Sequence, residues 1–237
     1  MIDVHTHILP KIDDGSKSAK QTAEMLKEMH SQGVETIVAT PHFDMRRESV
    51  GDFLSRRQKS VELLSEYNVD MSNIRLGAEV LYLGVGLDHL EDIEKLCIEG
   101  TRYILIEPIN NKWGSTFKRD ILRLIDGLNI YPIIAHIERF ITGNNIRMLC
   151  ELEKEGVLAQ SNAGFFISRK TRGRALRMLK KNIIQLLGSD CHDMNLRPPN
   201  LGVAADIICS KFGEGYVSYM MSHSKEIFCN DLQEGER

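Results

Sequence analysis

At 237 residues the chain fits one large domain or two small ones, and it is long enough to bury a real core. A net charge of −3, with 27% charged and 42% hydrophobic residues, is that of a soluble globular protein and leaves no basic footprint for nucleic acid. No apolar run approaches the roughly 20 residues of a membrane-spanning helix, so membrane insertion is not expected.

The first expected strand covers 1–7 and starts at Met1, which leaves no room for a signal peptide. An amphipathic helix follows over 18–32, where Ala23, Leu26 and Met29 recur at helical spacing. Next come a strand at 35–41, a helix at 49–66 and a strand at 75–81. The segment 81–102 is less regular, with helical character over 87–96. A strand at 103–107, a helix at 116–128, a strand at 131–137 and a helix at 143–155 resume the alternation. A strand at 157–162, a helix at 171–181 and a strand at 183–189 continue it, and a last helix spans about 201–212. Gly33, Gly100, Gly127 and Gly156 sit where helices should end or loops should turn. No linker, repeat or low-complexity tract interrupts the chain, so 1–237 reads as one domain. The five cysteines (97, 150, 191, 209, 229) are odd in number, widely spaced and without C-x-x-C, which points to a reduced, cytoplasmic protein.

Strand and helix in alternation mean a parallel sheet. In the opening Asp3-Val4-His5-Thr6-His7, alternation places His5 and His7 on one face, as one divalent ion would require. Alone that signal is weak. It is followed by Asp13-Asp14, Thr40-Pro41-His42, Gly77-Ala78-Glu79, Ile106-Glu107-Pro108, Ala135-His136 and Ser189-Asp190-Cys191-His192, each at or just after a short apolar run. The candidate ligands are therefore His5, His7, Asp14, His42, Glu79, Glu107, His136, Asp190 and His192. Five imidazoles and four carboxylates are too many for one ion and enough for three. Mixed nitrogen and oxygen donors suit Mn, Fe or Zn over Ca or Mg. Glu79, on a central strand, is the candidate bridge. These residues come from six different strands, each time from the carboxyl end. Only a closed barrel gathers all such ends at one mouth, so a seven-stranded (β/α) barrel is expected rather than an open sheet.

The series DVHTH, DDG, ATPH, GAE, LIEP, AHIERF, QSNAG and SDCH resembles the PHP (polymerase and histidinol phosphatase) superfamily. Within it the chain is most similar to manganese-dependent tyrosine phosphatases of the CpsB/CapC type, from capsule and exopolysaccharide operons. MIDVHTHILPKIDDGS and the stretch from SDCH to LRPPNLG carry the likeness most closely, and it spans nearly the whole chain. The resemblance implies a distorted (β/α)7 barrel of the PHP type and a trinuclear site. It implies one ion on His5, His7, Glu79 and Asp190, a second on Glu79, Glu107 and His136, and a third on Asp14, His42 and His192. The implied substrate is the phosphotyrosine-bearing cytosolic tail of a bacterial tyrosine kinase. Departures from the family pattern are Phe43 in place of a second His, Ile137 in place of a common Pro, and His223-Ser224 in place of a C-terminal Asn-Pro. None replaces a ligand.

Three divalent ions carry about +6 against −4 from four carboxylates, which favours a dianionic phosphate monoester. A hydroxide shared by the metals is the expected nucleophile. Arg139 and Arg197 follow the ligand motifs closely, and their guanidinium forks match non-bridging phosphate oxygens. A phenol leaves readily, its pKa being about 10, so a strong general acid is not required. Asp13 is read as a turn residue, and His30, His89 and His223 as surface residues. Trp113 is assigned either to the mouth or to plain packing, and Asn162 either to the pocket or to a turn. Cys191 to Arg197 spells C-x5-R, the mark of cysteine-dependent phosphatases, but the residues between lack the Gly that a phosphate-cradling loop needs. The match is therefore read as chance. Competing functions are a small-molecule phosphatase such as a histidinol-phosphate phosphatase, an amidohydrolase, and an inactive kinase-docking subunit. A homo-oligomer is left open.

Overall fold

The computed structural model describes residues 1–84 and 86–229; the last eight residues of the expected domain lie outside the described residues. Its strands all run parallel. β1 (Ile2–Thr6) pairs with β2 (Thr36–Ala39), and β2 pairs with β4 (Ile74–Leu76). A second run orders β3 (His42–Phe43), β5 (Glu79–Tyr82), β6 (Tyr103–Pro108), β7 (Tyr131–Ile134), β8 (Leu158–Asn162) and β9 (Leu186–Gly188). The expected strands at 35–41 and 75–81 are thus each broken in two. Pro41 has no N–H to give the ladder, and the chain bends there and at Gly77-Ala78. Hydrogen bonds carry the pairing across the bends: Gly77 N donates to Ala39 O (2.8 Å) and Glu79 N to Pro41 O (2.9 Å). The sheet curls until its last strand meets its first. Asp190 N donates to His5 O (2.8 Å) and His7 N to Cys191 O (2.9 Å).

The connecting helices are α1 (Ala19–Ser31), α2 (Val50–Glu66), α3 (Ser115–Leu128), α4 (Gly143–Leu152) and α6 (Arg172–Lys180), with a short α5 (Ala163–Ile167) after β8. Hydroxyls of Ser18, Ser49 and Thr142 cap α1, α2 and α4, each accepting a backbone N–H of the first turn. The segment 87–96 holds two single 3₁₀ turns instead of a helix, and 153–155 is a 3₁₀ turn appended to α4. Gly127 lies inside α3; the left-handed residue that ends this helix is Asn129 (φ 53°). The helix at 201–212 is α7 (Leu201–Phe212), but it is not the last. α8 (Glu214–Cys229) follows it. Its buried face is Met220, Ser224 and Ile227, so the apolar stripe that would announce the helix is interrupted by a hydroxyl.

A register shift in β1 sets the orientation of the site. Asp3 pairs with Ile37 and Thr6 with Ala39, so β1 spends one residue more than β2 over this interval. Such a bulge turns side chains that strict alternation would keep apart onto the same face. Ile2 and Val4 pack inward with Val38, Leu105, Ile133 and Leu186, in a small apolar cluster that Ile227 of α8 joins. His5 and His7 also point inward, above that cluster. The Asp3 carboxylate holds the bulge, accepting from His5 N (3.3 Å) and Ser189 N (2.9 Å). Burial pushes its pKa up to about 6 in spite of those bonds. Gly188 faces the bulge. A Cβ there would stand 2.6 Å from the His5 Cβ and 2.9 Å from Gln160 Nε2. Gly188→Ala is accordingly expected to cost about 1–3 kcal/mol of stability, read from a denaturant midpoint; an unchanged midpoint would contradict this packing.

Candidate metal centre

The curl brings eight of the nine candidate ligands into direct contact, and Asp14 reaches them from the loop after β1. Four donor atoms lie deepest. His5 Nε2 and His7 Nε2 are 3.2 Å apart. Each stands 3.4 Å from Glu79 Oε2, and they are 3.6 and 3.4 Å from Asp190 Oδ1. Ligands about 2.1 Å from one ion stand roughly 3.0–3.4 Å from each other, so this spacing suits a shared cation. On one side of it, His136 Nε2 lies 2.8 Å from Glu79 Oε1 and 3.2 Å from Glu107 Oε1. On the other, Asp14 Oδ1 lies 3.3 Å from both His42 Nε2 and His192 Nε2. His42 Nδ1 approaches Glu79 Oε2 at 2.9 Å, so Glu79 touches all three groups. Donor atoms of His7, Asp14, His42 and His192, of His5, His7 and Asp190, and of His42, Glu79 and Glu107 are each close enough to share an ion.

Buried polar atoms test the fit. Glu79 Oε2 and His136 Nδ1 are buried without a hydrogen-bond partner. An oxygen ringed by three imidazole nitrogens yet lacking a hydrogen bond is the environment a cation completes. Nitrogen and oxygen donors without thiolate fit manganese, iron or zinc. Proton affinity divides the imidazoles: that of His7, His42 and His136 is raised by the carboxylates around them, and that of His192 is lowered. Burial lowers the His7 pKa, but Asp13, Asp190 and Glu79 outweigh it and hold the ring protonated, well above its ordinary value. Cations bound there would displace that proton. Burial, helped by the charges of His7 and Arg197, holds His192 down to about 4 and keeps it in the neutral, ligating form.

Residues around the ligands orient them. His7 Nδ1 donates to Asp13 Oδ2 (2.8 Å), which turns Nε2 inward, where a cation would take the place of its proton. Asp13 also accepts from Gly15 N (2.8 Å) and His42 N (3.1 Å). Burial alone would raise its pKa, but these bonds and the His7 charge hold it below the usual carboxylate range. Asp13 is thus more than a turn residue. Gln160 Oε1 accepts from His136 N (2.7 Å) and from His5 Nδ1 (3.2 Å), while Gln160 Nε2 donates to Asn162 Oδ1 (3.0 Å). Asn162 Nδ2 in turn donates to Asp190 Oδ2 (2.6 Å), so Asn162 belongs to the pocket. Sequence reading passed over Gln160; two amides at one strand end, in QSNAG, were its only signal. His136 (φ 30°) and Asp190 (φ 54°) adopt the left-handed conformation, costing on the order of 1–3 kcal/mol each, as strained site residues do.

Arg139 and Arg197 cross the mouth. Arg139 reaches Glu107 Oε1 (3.2 Å) and Asp190 Oδ2 (3.1 Å), and Arg197 reaches His192 Nε2 (2.9 Å) and Asp190 Oδ2. Trp113 is buried, stacked on Phe117 at 4.7 Å, and donates to Asn110 O; it packs. Cys191 is wholly buried, and burial with the Asp3 charge pushes its thiol far above the ordinary range. It cannot serve as a thiolate nucleophile. No disulfide forms among the described residues, and no described helix is long and apolar enough to cross a membrane. His30 and His89 are exposed, and His223 bonds within its own helix.

A curled parallel sheet with histidines and carboxylates converging at its carboxyl ends defines an α/β protein whose donor groups are placed to hold metal ions. Residues 1–228 match the model of the capsular polysaccharide synthesis family CpsB/CapC, and the chain belongs to that family. It is 34% identical over 228 residues to the tyrosine-protein phosphatase CpsB of Streptococcus pneumoniae, across 90% of this chain and 91% of that one. It is 28% identical over 239 residues to the tyrosine-protein phosphatase YwqE of Bacillus subtilis strain 168, across 96% and 91%. Crystal structures of YwqE and of the pneumococcal CpsB, described as unique metal-dependent tyrosine phosphatases, include a chain that superposes with a TM-score of 0.80. It has 24% identity and covers 97% of this chain and 95% of that one, a likeness of fold.

Removing the anchor on His7 tests the arrangement. Asp13→Asn should weaken metal affinity about 10–100-fold while leaving the circular dichroism spectrum intact. Unaltered affinity in a calorimetric titration would remove Asp13 from this role.

Proposed function

We propose that this chain is a metal-dependent protein-tyrosine phosphatase of the cytoplasm, acting on the phosphotyrosine tail of a bacterial tyrosine kinase that regulates capsular or exopolysaccharide synthesis. The chain, 1–237, is one phosphatase domain built as a distorted (β/α)7 barrel of the PHP type. In that count β2–β3 and β4–β5 are each one bent strand, and the β9–β1 bonds close the ring. Three divalent ions, manganese foremost with iron or zinc as alternatives, are assigned to the sets His5, His7, Glu79 and Asp190; Glu79, Glu107 and His136; and Asp14, His42 and His192.

One observation carries this reading: the inward nitrogens of His5 and His7 and the facing oxygens of Glu79 and Asp190 stand at the mutual spacing of ligands on one ion. Bound divalent ions supply Lewis acidity and lower the pKa of coordinated water. The chain's own residues do the rest. Asp13 holds His7, and Gln160 holds His5, through Nδ1, with Nε2 turned inward. Arg139 and Arg197, about two-fifths exposed, exchange their carboxylate contacts for the non-bridging oxygens of an arriving phosphate. The phenolate leaves without a dedicated acid. Asp14 and His42 are 64% and 42% exposed, beside an open cavity of about 720 Å³. An open mouth suits a tyrosine carried on a protein better than a small metabolite, which an enclosed pocket would surround.

Hydrolysis of a phosphotyrosine peptide should vanish on chelation and return with manganese, with about three ions per chain by elemental analysis. Turnover that survives exhaustive chelation would sink the metal mechanism. Cys191→Ser should keep most activity, whereas a trapped phosphocysteine with a dead Cys191→Ser variant would revive thiol chemistry. Arg197→Ala should lose roughly 10²–10³ in kcat, about 2.7–4 kcal/mol of transition-state stabilisation, with metal content unchanged; wild-type kcat would remove Arg197 from the phosphate.

A further inference from the structure

Between Glu155 and Asp190 the sequence holds no acidic residue and seven cations, in a chain whose net charge is −3. All seven fall between Arg169 and Lys181, on α6 and its flanking turns. The apolar face of α6, Ala175, Met178 and Leu179, is buried in the core, which turns the cations outward. Arg172 is engaged structurally, donating to Phe166 O (3.0 Å) and Ile167 O (2.8 Å) at the end of α5. Arg169, Arg174, Arg177 and Lys180 are exposed. None of these four forms an ion pair with another described residue, so no described acid compensates their charge. Isolated surface cations normally sit among acids. A run this long without one is held against its own repulsion.

The ridge is concave. A cavity of about 510 Å³ opens between α6 and the end of α7, with Arg169, Arg177, Lys180 and Lys211 around a floor of Leu176 and Phe212. A flat lipid surface meets a convex face; a concave one takes a protruding chain. Guanidinium groups outnumber ammonium groups in this lining, and their forks suit phosphate and carboxylate. The ridge is also linked to the metal centre along the chain, through α5. Asn162 touches Asp190, the five-residue α5 begins at the next residue, and Arg169 follows two residues after it ends. A helix of that length spans about 7.5 Å.

We propose that this cationic groove is a second docking site for the phosphoprotein substrate, binding an acidic or phosphate-bearing segment that flanks the tyrosine held at the metals. The proposal rests on the phosphatase reading above and names the kind of substrate it favours: an extended, strongly anionic tail. Docking there adds attraction without touching the reacting atoms, so it enters KM and association rate rather than the chemical step.

The test uses the full-length protein and the triple variant Arg174→Glu, Arg177→Glu, Lys180→Glu. Three probes are compared: p-nitrophenyl phosphate, a short phosphotyrosine peptide, and the same peptide extended by a glutamate-rich segment. Expected is a loss of about tenfold or more in kcat/KM for the extended peptide alone, through KM, with the other two unchanged. The difference should collapse near 1 M salt, where the Debye length is about 3 Å. Fluorescence anisotropy of the labelled extended peptide reads docking separately from turnover. Should no phosphotyrosine probe be hydrolysed while the wild type binds the peptide and the variant does not, the phosphatase reading fails and the groove stands. Equal affinity of both proteins for the extended peptide overturns the groove, as does a variant defect confined to phosphatidylglycerol vesicles.

Discussion

A carboxylate removed from water must meet positive charge, and Glu79 is almost wholly buried at the centre of this protein. Desolvating it costs several kcal/mol unless that charge is supplied. Imidazoles from β1, from β3 and from the end of β7 surround it, and much of the architecture serves that convergence. The sheet curls so that strands distant in sequence end at one place. Two strands bend at Pro41 and Gly77. His136 and Asp190 are held in left-handed conformations that cost free energy locally, offset by the bonds that fix them.

The centre is graded from floor to rim. Below it lies the inner apolar cluster, sealed by Ile227 of α8. At the level of the ligands, Gln160, Asn162 and Asp13 saturate the outward-facing atoms of His5, Asp190 and His7, leaving the inward ones for cations. At the rim, Asp14, His42, Arg139 and Arg197 are partly in solvent. A rigid floor with a solvated rim positions ions tightly yet lets a bulky protein substrate approach.

Charge is distributed as unevenly as polarity. The small net charge conceals an acid-free stretch of α5, α6 and their turns, and the acids are spread over the remaining chain. The cationic stretch follows, after α5, the strand β8 whose end residue Asn162 bonds Asp190 of the metal centre. Attraction of an anionic substrate can therefore act along a surface, while the groups that handle the phosphate stay separate from those that gather the tail.

Much of this was legible in the sequence because it is local. Strand and helix alternate with periods that any window shows, and serine and threonine caps mark helix starts. Ligand residues betray themselves because a parallel sheet presents function at strand ends, so His5, Glu79 and Asp190 each close an apolar run. What stayed hidden depends on partners far along the chain. Asp13 looked like a turn until His7 Nδ1 was placed against it, and Gln160 carried no motif beyond a neighbouring amide. α8 escaped because Ser224 breaks its apolar stripe, and its burial depends on surface offered by α7, β1 and β9 together. Alternation alone established that His5 and His7 share a face. Only the one-residue slip of β1 against β2, a property of two strands together, decided that the face points inward.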